Sequence, residues 1–191
     1  MDSFPIFSNL WRCKALPSAV LTAWRVMEDK LATRVNLSRR GVLVDSLLCC
    51  LCGKEEEYGR HLFFDCSFAR RVWCLCYRWL GVLFVSHNEP KINFVQFRMS
   101  FSSKMVNMVW NTIWVGVVSE IWKHRNNIYF KSGVADVSEV FALVQVKVWA
   151  WVSTNFRLVL FSFSDWCLEP LVCMRLVTWS FKGKVCFVSF S

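Results

Sequence analysis

Residues 49 to 66 read CCLCGKEEEYGRHLFFDC and place Cys49, Cys52, His61 and Cys66 at the spacing Cys-x2-Cys-x8-His-x4-Cys. Zinc favours a tetrahedron of soft or borderline donors, and three thiolates with one imidazole satisfy it. Two intervening residues let the sulfurs of Cys49 and Cys52 face one point, and Gly53 lets the backbone turn without a Cβ. The run GKEEEYGR then returns the chain, so that His61 and Cys66 close the site from the far side. Leu62, Phe63 and Phe64 lie between those two donors and can cover an ion with apolar surface. The same residues also admit buried structural thiols or a redox pair. Cys50, inside the Cys-x-x-Cys pair, is a spectator or an alternative ligand. The other cysteines, Cys13, Cys74, Cys76, Cys167, Cys173 and Cys186, have no such pattern and read as core. Cys74 and Cys76 stand two apart on an expected helix and so point to different faces.

Other chemistries lack their residues. There is no phosphate-cradling glycine loop and no Gly-x-Ser-x-Gly, and two-metal nuclease or polymerase chemistry needs clustered carboxylates. The acidic run Glu55–Glu56–Glu57 sits inside the cysteine loop and reads as a solvated, charge-balancing turn. His87 falls in a turn and reads as solvated, and His124, near the end of a long helix, suits that helix's C-terminal dipole. Neither has a companion nucleophile. The chain is therefore expected not to be an enzyme.

The elements that must hold the cysteine loop are mostly helical. Ser18 reads as an N-cap, and Val20, Trp24, Met27 and Leu31 recur on one helix face. Thr33 reads as the cap of a short helix, RVNLSRR, that stops at Gly41. VLVDSLL is an extended approach to the cysteines. Ser67 caps the next helix, with Phe68, Val72, Leu75 and Trp79 as its apolar stripe and Gly81 as its stop. Residues 81 to 103 break the periodicity and read as an irregular connection. A long helix runs from about Lys104 to Tyr129, with Val106, Trp110, Trp114, Val117, Ile121 and Trp122 on its buried side. Asp136 with Glu139 resembles a capping box before a last amphipathic helix carrying Val137, Val140, Phe141, Val144, Val148 and Trp151. The expected fold is mostly α: several amphipathic helices around a small zinc-binding clip, with an irregular C-terminal tail. The expected organisation is a zinc-binding domain over 10–85, a linker over 86–103, a Trp-rich helical region over 104–155 and an unassigned tail over 156–191.

Composition bounds the partners. The chain of 191 residues is 55% hydrophobic, with 11 Trp and 17 Phe, so most of it has apolar surface to bury in a core or against a neighbour. Its formal charge of +9 favours anionic partners. Arg39 and Arg40 precede the cysteine loop, Lys54 and Arg60 flank it, and Arg70, Arg71 and Arg78 follow on the next helix. Basic groups around a rigid turn can contact phosphates, or can simply solubilise an apolar protein. The run from Met105 to Ser119 is too short to span a bilayer and contains Asn107 and Asn111, so no membrane partner is expected. The start of the chain has no basic segment leading into an apolar run, which favours an intracellular location, with the nucleus as one candidate compartment.

Four stretches together resemble a known family: LWRCKALPSAVLTAWRVMEDKLATRVNLSRRGV, CCLCGKEEEYGRHLFFDCSFARRVW, VWNTIWVGVVSEIWKHRNNIYF and, more weakly, the last amphipathic helix. The chain is similar, over roughly residues 10 to 155, to the reverse-transcriptase zinc-binding domain of plant LINE-type (non-LTR) retrotransposon polyproteins. Cys50 and Ala32 stand where that family more often has proline. The resemblance implies Zn2+ held by Cys49, Cys52, His61 and Cys66, and contact with element RNA or target DNA without polymerase activity. RNA or DNA and an adjacent reverse-transcriptase region are the implied partners, with no small-molecule substrate. A structural or protein-interaction domain of the polyprotein, and a decayed fragment without selected function, are the alternatives.

Overall fold

In the computed structural model the described residues are 4–83, 87–98, 103–156 and 161–180. Their elements are helices: α1 (Phe4–Trp11), α2 (Pro17–Met27), α3 (Arg34–Arg39), a π-helical turn (His61–Asp65), α4 (Ser67–Trp79), α5 (Pro90–Gln96), α6 (Lys104–Lys131), α7 (Val137–Asn155), α8 (Phe163–Leu168) and α9 (Pro170–Ser180). Among the described residues there is no strand, and the extended approach to the cysteines makes one isolated antiparallel bridge, Leu48 with Glu56. The fold is mostly α around a small clip, as the periodicities require. No helix of the described residues is long and apolar enough to cross a membrane.

Helix α6 is the axis of the molecule. Its middle is buried on every side, from Val109 through Ile121, so it is enclosed by other helices. Helices α1, α2, α4, α7 and α9 all pack against it. Helix α2 presents the small residues Ala19 and Ala23 together with Val20 and Val26, all buried. Helix α7 presents Val140, Val144, Val148 and Val152, each fully buried at i, i+4 spacing. The α6–α7 crossing is close at Gly116, where an added Cβ would come within 2.7 Å of Val148 Cγ2. The same interface buries Glu120, which accepts from Lys123 Nζ at 2.8 Å and also pairs with Lys147 of α7.

Several expected helix ends shift. Helix α2 starts at Pro17 with Leu16 at the N-cap, so Ser18 is inside its first turn rather than capping it. Helix α4 starts at Ser67 with Cys66 at the N-cap. Thr33 does cap α3, accepting from the Asn36 N–H at 3.3 Å. Asp136 caps α7, accepting from Ser138 and Glu139, while the Glu139 carboxylate lies 3.7 Å from His124 Nδ1 instead of closing a box. Within the stretch expected as a linker, Glu89 caps α5 at 2.7 Å, Pro90 opens it, and Phe94 and Phe97 enter the core. Helix α5 is too short to show a period, and its buried Asn93 gives no apolar signal, although Asn93 Oδ1 accepts from Trp114 Nε1 at 2.8 Å. In the tail, α8 and α9 carry buried Trp166, Cys173, Met174 and Val177. The rest of the tail, with Cys186, lies outside the described residues.

Candidate metal centre

The clip is a tight backbone loop. The Cys49 N–H donates to Glu55 O at 2.7 Å, the Gly53 N–H to Cys49 O at 2.7 Å, and the Glu57 N–H to Leu47 O at 2.8 Å. Gly53 takes φ +65, the left-handed region that a Cβ disfavours, and so reverses the chain directly after Cys52. The returning segment enters the π-helical turn, whose closing hydrogen bond runs from the Cys66 N–H to His61 O at 2.8 Å. In an α-helix, residues five apart are turned roughly 140° from each other, whereas an i→i+5 turn stacks them on one side. The wide turn therefore gives the His-x4-Cys spacing its shared direction. Leu62, Phe63 and Phe64 anchor that turn in the core, with Phe64 stacked on Trp73 and Trp114 at 6.1 and 6.4 Å.

Cys49, Cys52, His61 and Cys66 come together, with one donor atom from each lying within 4.8 Å of all the others. The Cys49 and Cys66 sulfurs are 4.0 Å apart, and Cys52 Sγ is 3.3 Å from His61 Nε2. A zinc tetrahedron with ordinary bond lengths has edges of about 3.8 Å between sulfurs and about 3.6 Å between sulfur and nitrogen. The donor set fits a zinc ion in both chemistry and spacing. His61 presents Nε2 to the sulfurs, and its buried Nδ1 lies 3.3 Å from Glu55 Oε2 without a hydrogen bond between them. The Cys66 thiol lies below its ordinary range, chiefly through its hydrogen bond with Cys49 and, against the cost of burial, through the Ala69 and Phe68 N–H groups at the start of α4. Cys49 is raised by that same shared hydrogen and by burial.

Cys50 does not join the cluster. Its half-buried thiol lies 3.6 Å from Glu57 Oε2, and burial, followed by the Glu57 charge, pushes it up to about 12. Glu57 corrects the reading of the acidic run as a solvated turn. It is fully buried, accepts from Arg125 Nε at 3.1 Å through both carboxylate oxygens, pairs with Arg125 Nη2, and accepts from the Arg34 N–H at 3.1 Å. Arg125, itself buried, lies over the rings of Trp122 and Tyr129 at 5.1 and 4.6 Å. This pair fastens the clip to α6 across 68 residues of chain, and no local pattern distinguishes Glu57 from its exposed neighbours Glu55 and Glu56. His124, expected at a helix end, is buried, stacks on Phe68 at 5.3 Å and accepts from the Asp136 N–H at 3.1 Å. His87 is exposed as expected. Cys74 is exposed, correcting its assignment to the core, while Cys13, Cys76 and Cys173 are buried and Cys167 is half-buried.

Arg39, Arg40, Lys54, Arg60, Arg70, Arg71 and Arg78 are all exposed. Arg60 is 3.4 Å from Asp65, Arg39 reaches Asn36 Oδ1 at 3.5 Å, and Arg40 reaches Lys30 O at 3.4 Å. Comparison with known proteins gives one family: a model described as zinc-binding in reverse transcriptase matches residues 2–73, a segment that contains all four clustered donors. No curated protein and no solved structure matches the chain.

Proposed function

We propose that the chain is a zinc-binding module derived from a non-LTR retrotransposon polyprotein, and that it contacts RNA or DNA without catalysis. The carrying observation is the convergence of Cys49, Cys52, His61 and Cys66 inside the segment matched by the zinc-binding family. The ion would be held by three sulfurs and His61 Nε2, and its role would be to fix the fold of the clip. The nucleic-acid part of the reading is supported by the exposed basic side chains on and around the clip and by the net charge of +9. Lys54 projects from the metal loop itself, and Arg70, Arg71 and Arg78 stand on the helix that Cys66 begins. Phosphate contacts of this kind give affinity without sequence selection and weaken steeply with salt.

Metal analysis of the purified chain, beside Cys52→Ser and His61→Ala, tests the first part. One zinc per chain is expected, and both variants should lose it. Binding to single-stranded RNA and to duplex DNA across a salt series tests the second. Affinity should fall with salt, and the Arg70→Gln/Arg71→Gln double variant should flatten the slope by about two phosphate contacts. Binding that ignored both salt and these substitutions would refute the contact.

A second reading rests on the Glu57–Arg125 pair: a structural domain in which zinc only docks the clip on α6 against a polyprotein neighbour. Leu43, Leu83 and Val134, which stand open to solvent, suit such a neighbour. It predicts one zinc per chain and no saltable nucleic-acid affinity.

A further inference from the structure

Away from the clip, the end of α1 with Arg12, Arg98 two residues past α5, and the first two turns of α6 line a cavity of about 290 Å³. Its wall carries three cations, Arg12, Arg98 and Lys104, three amides, Asn9, Asn107 and Asn111, and, among the described residues, no carboxylate. Among the described residues none of these cations forms an ion pair with a carboxylate. Arg98 is the most demanding of them. Its guanidinium carbon lies over the Phe94 ring at 5.8 Å, and its Nε and Nη2 are buried without a hydrogen-bond partner. Burial also lowers its affinity for its proton. A guanidinium presents its N–H groups as a planar fork, and leaving such donors buried and unmatched is costly unless an anion completes them. Asn111 adds an independent sign. It is only 3% exposed, it lines the same cavity, and its amide oxygen has no partner, so it would accept from a hydroxyl of the ligand, such as that of a protonated phosphate or an attached sugar. Lys104 and Met105 bring the positive end of the 28-residue α6 to the wall.

We propose that this cavity is a phosphate-binding site, with Arg98 as the forked donor, Lys104 and Arg12 as flanking charges, and Asn111 as a polar anchor. A phosphate has the tetrahedral oxygens and the charge that match a guanidinium fork beside a helix N-terminus. The cavity lies at the small end of the range for ligand pockets, which suits a phosphate with at most a sugar or nucleoside attached. The site uses none of the zinc ligands and none of the basic residues around the clip, so it stands or falls apart from the proposed nucleic-acid rim. The shared ligand chemistry is the phosphate group, supplied either by a free phosphate or nucleotide, or by the backbone of a nucleic acid.

The test is calorimetric titration of the zinc-loaded full chain, at fixed ionic strength, with inorganic phosphate, thymidine 5′-monophosphate and a decathymidine oligonucleotide bearing a free 5′ hydroxyl. Saturable binding of at least one is expected, weakened roughly tenfold by Arg98→Gln, by less in Lys104→Gln and, for phosphate and the monophosphate, not at all by Arg70→Gln/Arg71→Gln. Binding of phosphate and the monophosphate alone assigns the site to free phosphates. Oligonucleotide binding that is lost in Arg98→Gln assigns it to a backbone phosphodiester. In phosphate-free buffer Arg98→Gln should melt no lower than the parent, because it removes an unmatched buried charge. If Arg98→Gln fails to fold, Lys104→Gln, at an exposed position, carries the same test. Absence of saturable binding by all three ligands, or equal binding by parent, Arg98→Gln and Lys104→Gln, overturns the proposal.

Discussion

The clip between Cys49 and Cys66 and the α6–α7 pair are stabilised by different kinds of interaction. The clip buries sulfur, an imidazole and one carboxylate, and its backbone is closed by a few short hydrogen bonds. The α6–α7 pair buries a column of valines against a helix whose middle is buried on every side. Apolar packing spreads its stabilisation over many contacts, so no single atom decides the outcome. A clip of this size has too little apolar surface to hold itself, and four donor atoms gathered within 4.8 Å are where its stability must be concentrated. The difference teaches where each region is vulnerable: the clip to loss of any one of its four donors, the helical pair to changes of volume.

The sharpest way to break the comparison is to remove the metal. Structural zinc in small sites contributes on the order of 10 kcal/mol to folding at neutral pH. Chelation, or Cys52→Ser, should therefore release the clip while most of the helix signal survives. Amide hydrogen exchange checks this: residues 47–57 should lose protection, and Val144 and Val148 in α7 should keep it. Exchange rising equally in both regions would show that the two are one cooperative unit.

The Glu57–Arg125 pair is where the two regions touch, and it gives the next effect in size. Arg125→Met leaves the Glu57 carboxylate buried without its partner, which should cost about 3–5 kcal/mol in urea unfolding. Glu57→Leu combined with Arg125→Met removes both charges and should cost clearly less than Arg125→Met alone. The same comparison in hydrogen exchange shows whether the pair carries stability from α6 into the clip.

These two regions also differed in how far their sequences disclosed them. The spacing Cys-x2-Cys-x8-His-x4-Cys names donors by type, and those residues do converge; the valine period of α7 names its buried face in the same way. The π-helical turn left no such mark, because His-x4-Cys becomes a shared direction only once the turn widens. The buried state of Glu57 was hidden because its partner Arg125 is 68 residues away, and Glu55–Glu56–Glu57 reads as a surface run. Helix α5 was hidden because seven residues cannot establish a helical period. Cys74 was misjudged because a cysteine carries no sign of which helix face it occupies, although its spacing from buried Cys76 already required opposite faces.

Volume should matter more than charge at the α6–α7 crossing. Gly116→Ala places a methyl 2.7 Å from Val148 Cγ2, and overpacking of this kind costs about 1–3 kcal/mol. Val148→Ala alone opens a cavity and destabilises as well, yet combined with Gly116→Ala it returns part of the lost space. The double variant should therefore be more stable than the sum of the two single changes predicts, as measured by thermal melting. Strict additivity would mean that the crossing relaxes without contact between these positions.

The smallest effect lies outside both regions, on an ion pair between α5 and the end of α2. Glu28 accepts from Lys91 at 2.8 Å, and that contact first of all holds its carboxyl below the ordinary value. A carboxyl lowered on folding contributes stability that is present above its unfolded pKa and lost as pH falls through its folded pKa. The window for Glu28 therefore lies at and just below the ordinary glutamate range. Because the pair is solvent-exposed and screened, its contribution should be only a few tenths of a kcal/mol. Lys91→Met should make the loss of stability below about pH 4.5 slightly shallower, with no change at pH 7 beyond the lost pair. Denaturant titrations at several acid pH values, at low and moderate salt, check both the sign and the screening. A steeper acid loss in Lys91→Met would show that Glu28 has another cationic partner, with Lys30 at 3.8 Å the first to examine.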